Sequence, residues 1–169
     1  LQSVLRVRWS LVQLRHCLVC ILDVFLAAPQ PAQSQAAIET ALSRLHGLAQ
    51  KFPQVVPDDQ LFHALYDVRL GRAGQAARGL RNSITSAHRL GLNSERATAQ
   101  YWLGLFALSE QGMHFVPEGA APHLHAARRT FEQHKCLGMV ARIDHALATS
   151  TSDLRRRDPA HNRRKTHPG

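Results

Sequence analysis

Apolar residues recur every three or four positions along most of this chain. The densest run, Gln60–Leu92, reads as two amphipathic helices joined by a glycine-marked turn. Within it Ala73, Ala76, Ala77, Leu80, Ile84, Ala87 and Leu90 follow one another at intervals of 3, 1, 3, 4, 3 and 3. Those intervals line one side of a helix with a continuous apolar stripe. Tyr101–Gly138 is a looser copy of the same pattern. One helix pair leaves apolar faces uncovered, so a recurring helix-turn-helix unit predicts an all-α fold in which antiparallel pairs stack as a solenoid.

The breaks in the pattern place seven helices. The first is expected near Ser3–Ala27 and stops before Pro29 and Pro31, because proline lacks the amide donor and restricts its predecessor. The second covers Ser34–Lys51, with Ile38, Leu42, Leu45 and Leu48 at helical spacing. Asp58 is expected to cap a third helix that ends at Leu70-Gly71, and a fourth runs from Ala73 to Leu90, with Gly91 at the C-terminal cap. Asn93–Glu110 carries Trp102, Leu103, Leu105, Phe106 and Leu108 on a broad apolar face. A loop at Gln111–Gly119 then precedes helices over Ala120–Lys135 and Leu137–Thr149. The domain plan is an apolar helix and linker over 1–31, helical repeats over 32–149, and a basic tail over 150–169 that lacks apolar periodicity and is expected to be disordered.

A length of 169 residues suffices for a core that needs neither disulfides nor metal. The formal charge of +9 is concentrated at the ends. Arg155, Arg156, Arg157, Arg163, Arg164 and Lys165 outnumber Asp153 and Asp158 in the tail, and Arg6, Arg8 and Arg15 stand near the start. These runs could contact phosphates, but no aromatic side chain follows Phe131 to stack on bases, so they read as solvated tails and argue against nucleic acid as a partner.

Leu11–Ala28 is interrupted by Arg15, His16 and Asp23 and reads as a buried helix rather than a membrane span or a signal peptide. Cys17, Cys20 and Cys136 are too few for a disulfide framework and fit a cytoplasmic protein, with Cys17 and Cys20 read as core residues. A chain opening on Leu1 reads as a fragment of something longer.

Leu70-Gly71-Arg72-Ala73-Gly74-Gln75-Ala76, followed by Ala77, Leu80 and Ser83, resembles the turn and second helix of a tetratricopeptide repeat. Leu103-Gly104 resembles the leucine-glycine pair of a first helix, and Ala127 with Phe131 resembles the small-large pair of the next second helix. Over Leu42–Leu147 the chain is similar to the tetratricopeptide-like region that lies C-terminal to the ATPase core in multidomain signalling proteins, including class III adenylate cyclases and related ATPase regulators. The resemblance implies a protein-binding or regulatory module whose concave surface engages a peptide, a partner domain or the rest of a parent chain. It carries no catalytic residue across, and the Gly112–Ala121 insertion displaces the glycine turn expected there.

Direct chemistry is sparse. Among the 11 histidines the densest set is His114, His123, His125 and His134, near Cys136. On a helix His123 and His125 diverge, whereas a shared metal wants i, i+4 spacing, and HExxH and paired CxxC patterns are absent. The expectation is therefore no stoichiometric metal, no cofactor and no catalytic residue. The competing classes are a histidine-rich metal-dependent enzyme and a basic nucleic-acid-binding module. Asp67 reads as a solvent-facing helical residue, and Gly71 and Gly74 as turn glycines, since the lysine of a phosphate loop is missing.

Overall fold

The computed structural model describes Arg15, Cys17, Leu18, Cys20 and residues 33–157. Among them it shows helices and turns and no strand, as the apolar spacing predicts. In chain order the helices are α1 (Gln33–Ala49), α2 (Val56–Arg69), α3 (Ala73–Arg89), α4 (Asn93–Leu108), α5 (Ala121–Gln133) and α6 (Leu137–Arg157), with a short 3-10 turn at Pro53–Val55. The helix expected over Ser3–Ala27 lies outside the described residues apart from Arg15, Cys17, Leu18 and Cys20, all four of which are helical. No described helix is long and apolar enough to cross a membrane.

Three expectations about these elements change. Asp58 does not cap α2, which starts earlier with Val55 as its flanking residue and Pro57 in its first turn. Proline is favoured there because the first amides of a helix have no intrahelical acceptor in any case. Asp58 is instead buried in that first turn and pairs with Arg15, whose Nη2 also donates to Glu95 Oε1 at 2.7 Å. Burial raises the Asp58 carboxyl pKa, with Arg15 pulling the other way. Cys17 is half-buried and Cys20 exposed, so the pair is not core; Leu18 beside them is the buried residue. Finally, α6 runs past Thr149 to Arg157, since Ser150–Arg157 contains neither glycine nor proline and Pro159 is the first residue that forbids a helical amide bond.

The chain divides into two compact units, Leu1–Ala99 and Gln100–Gly169, with the division inside α4. In the first unit Ile38, Ala41, Leu42, Leu45 and Ala49 of α1 join Leu18, Val55 and Phe62 in one buried cluster. The α2–α3 pair packs together extensively. Small residues explain its closeness: Ala64 on α2 faces Gly79 on α3, where a Cβ would lie 2.8 Å from the Ala64 Cβ. The Ser83 hydroxyl on α3 donates to the Pro57 carbonyl at 2.7 Å, which satisfies a buried polar group across the pair. In the second unit Leu103, Phe106, Val116, Leu124, Ala127, Phe131 and Ile143 are buried. Gly104 meets the Leu124 side chain, and the Gly112 backbone lies so close to the Phe106 carbonyl that a Cβ would come within 1.9 Å of its oxygen.

One turn recurs three times. After α2, Arg72 N–H donates to Asp67 O (2.9 Å) and Gly71 N–H to Val68 O (3.1 Å). After α3, Leu92 N–H donates to Ala87 O (2.9 Å) and Gly91 N–H to His88 O (3.1 Å). After α5, Cys136 N–H donates to Phe131 O (2.8 Å) and Lys135 N–H to Glu132 O (3.0 Å). Each is a Schellman cap, which satisfies the last helical carbonyls through one residue of positive φ. That residue is Gly71 (φ 72°), Gly91 (φ 68°) and Lys135 (φ 57°) in turn.

Candidate functional site

The last turn of α1 and the first turns of α2 bring together three side chains of metal-ligand type. His46 stands near the end of α1; Asp59 and His63 are one helical turn apart on α2, the i, i+4 spacing that puts two side chains on one face. One ligand atom from each of His46, Asp59 and His63 lies within 4.8 Å of the others. His46 Nδ1 is 3.0 Å from Asp59 Oδ2, and His63 Nε2 is 3.4 Å from Asp59 Oδ1. The two imidazoles meet edge to face with centroids 6.2 Å apart.

Burial is unequal within the cluster. The Asp59 side chain retains 11% of its accessible surface, while the His46 and His63 side chains retain 55% and 47%. The carboxylate therefore forms the floor and the imidazoles an accessible rim. Gln60, Ala64, Asp67, Ser43 and Gly79 complete the lining of an open pocket of about 470 Å³.

Electrostatics favour the ionised carboxylate. Burial opposes ionisation of Asp59, yet the polar contacts and charges of His63 and His46 together hold its pKa below the ordinary value. The contact with Asp59 raises the His63 pKa against the effect of burial, and Asp67 adds to the rise. The Gln50 side-chain amide lies 3.1 Å from His46 Nε2 and orients that ring from behind. Even so, two acceptors stay unsatisfied. At 3.4 Å the contact from His63 is an ion-pair distance without hydrogen-bond geometry, so the buried Asp59 Oδ1 has no hydrogen-bond partner, and neither does the buried Gln60 Oε1.

The histidines singled out from the sequence behave differently. His114, His125, His134 and Cys136 are exposed, and His123 Nε2 contacts Glu118 Oε1 at 3.1 Å. Among the described residues they do not converge into a ligand set. Asp67 is half-buried rather than solvent-facing and pairs with Arg72 across the α2–α3 turn at 3.6 Å. Of the repeat positions, Gly71 sits in that turn and Ala76, Ala77 and Leu80 are buried on α3. Leu103 and Gly104 on α4, and Ala127 and Phe131 on α5, are buried in the second unit. The sequence signal for the cluster was the Asp59–His63 pair; His46 joins only through the packing of α1 on α2.

No protein-family model, curated protein or solved structure gives a significant match to the chain.

Proposed function

We propose that this chain is a noncatalytic helical-repeat module of tetratricopeptide-like architecture that binds a protein or peptide, or other domains of a parent chain. Its setting is an ATPase-coupled signalling protein of the adenylate-cyclase or ATPase-regulator type, in the cytoplasm. The observation that supports this reading is the recurring Schellman turn: successive helices are joined by three-residue connections with the same hydrogen-bond pattern. Small residues at Ala76, Ala77, Gly104 and Ala127 accompany those turns, as helix pairs that pack closely require. Recognition by such a module uses side chains displayed on fixed helices, with no reacting group of its own.

The test divides chemistry from control. The isolated chain is expected neither to bind nor to turn over ATP. Deleting residues 32–149 from a parent with an ATPase or cyclase head is expected to change stimulated activity while basal activity persists. ATP turnover by the isolated chain, or complete loss of chemistry in a truncated parent that remains folded, overturns the proposal.

A further inference from the structure

Asp59 presents Oδ2 to His46 Nδ1 and its unsatisfied Oδ1 to His63 Nε2, and this is the strongest unexplained chemistry among the described residues. A buried carboxylate oxygen without a hydrogen-bond donor is costly, and the 3.4 Å contact with His63 replaces its lost hydration only in part. His63 falls short of supplying a hydrogen bond, and Gln60 presents a second unsatisfied acceptor in the same pocket lining. A cation at this point would satisfy the carboxylate and use the imidazole nitrogens as further donors. We propose that His46, Asp59 and His63 form a binding site for a divalent transition-metal ion of the zinc(II) class, which clasps α1 to α2.

The donor set selects that class. Two imidazoles and one carboxylate suit zinc and its first-row neighbours, whereas calcium and magnesium favour all-oxygen shells. With metal–ligand bonds of about 2.0–2.2 Å, two ligand atoms on a tetrahedral ion stand roughly 3.4 Å apart. The three ligand atoms lie within 4.8 Å of one another, so binding draws the widest pair together by rotation of the two exposed imidazoles while the buried carboxylate stays in place. His46 would bind through Nδ1, the nitrogen already facing Asp59; the Gln50 amide, whose nitrogen now stands 3.1 Å from His46 Nε2, would turn over to present its oxygen to the Nε2–H. With the amide so turned, that outer hydrogen bond would hold the tautomer that presents the Nδ1 lone pair to the ion. Three protein ligands leave a coordination position facing the open pocket, where water can bind. The inference is independent of the interaction reading above: a helical module can carry this clasp whether or not it regulates an ATPase.

The experiment uses the tag-free full chain, stripped with chelator, dialysed and titrated with zinc(II) and, separately, cobalt(II). Expected are one zinc per chain, a rise in melting temperature on adding zinc, and cobalt(II) d–d absorption without a thiolate charge-transfer band. His46→Ala and His63→Ala should each weaken zinc binding by roughly tenfold or more and abolish the melting shift. Paired replacement of His114 and His123 should change neither. His46 and His63 are exposed, so these variants are expected to fold, as circular dichroism will verify; His46→Asn and His63→Asn provide gentler replacements if helicity falls. Failure to retain zinc, retention unchanged in both histidine variants, or a thiolate band pointing to cysteine ligands overturns the proposal.

Discussion

Gly79 of α3 and Ala64 of α2 face each other so closely that a methyl group added to the glycine would lie 2.8 Å from the alanine methyl. This contact sets how near the two helices come. In an open helical position, replacing glycine by alanine stabilises by roughly 0.5–1 kcal/mol through helix propensity. Gly47 on α1 is such a position, with no atom within 4 Å of its added Cβ. The two glycines should therefore respond with opposite signs. Gly47→Ala should stabilise by about 0.5–1 kcal/mol, and Gly79→Ala should destabilise by about 1–2 kcal/mol once overpacking is set against propensity. Adding Ala64→Gly to Gly79→Ala should show favourable coupling, since it removes the opposing methyl. Urea denaturation of the parent, the Gly47→Ala, Gly79→Ala and Ala64→Gly single variants and the double variant measures these differences. A Gly79→Ala protein more stable than the parent would show that the helices part without cost.

Lys135 occupies the left-handed position that Gly71 and Gly91 fill in the two equivalent turns. A side chain there is strained by roughly 1–2 kcal/mol relative to glycine, partly offset because glycine also frees the unfolded chain. Lys135→Gly should therefore stabilise the chain by about 0.5–1 kcal/mol. Gly71→Ala and Gly91→Ala should each cost about 1 kcal/mol, through strain alone, because both added methyl groups would enter open space. Thermal melts of the three single variants provide the comparison. If Lys135→Gly lowers the melting temperature, the lysine side chain contributes more than its backbone strain costs.

The helical class was legible because local spacing carries it: the stripe from Ala73 to Leu90 forms one amphipathic face, and Gly71 and Gly91 mark turns that need positive φ. The Lys135 turn was harder to read, since nothing in a lysine announces that conformation. The start of α2 was misplaced because Asp58 is a good cap by type, while the local run of prolines and the partner Arg15 determine its actual role. The close approach at Gly112 was also hidden, because glycine marks a loop in sequence whether it is needed for φ or for room beside Phe106. The candidate site shows the largest gap. Asp59 and His63 can be paired from helical periodicity, but His46 reaches them only when α1 packs on α2. Counting neighbouring histidines instead pointed to His123 and His125, whose directions on α5 diverge.

Arg128 on α5 contacts the Asp144 carboxylate on α6 through Nε at 2.7 Å, and also reaches Glu132 one turn along its own helix at 3.0 Å. The hydrogen bond from Arg128 is the main reason the Asp144 carboxyl titrates below its ordinary value, with smaller help from the charges of Arg128 and His125. A lowered carboxyl pKa in the folded state contributes stability above the unfolded value of about 3.9, and that contribution is lost as pH falls through the folded pKa. Asp144 is exposed and Arg128 is partly so, and salt should weaken the effect. The expected outcome is a carboxyl titration midpoint for Asp144, followed by nuclear magnetic resonance, that lies below the ordinary range at low salt. It should move up on Arg128→Gln or on adding salt, while the helical content at neutral pH is retained. An Asp144 midpoint that is the same in the parent and the Arg128→Gln protein would show that the contact between α5 and α6 does not persist in solution.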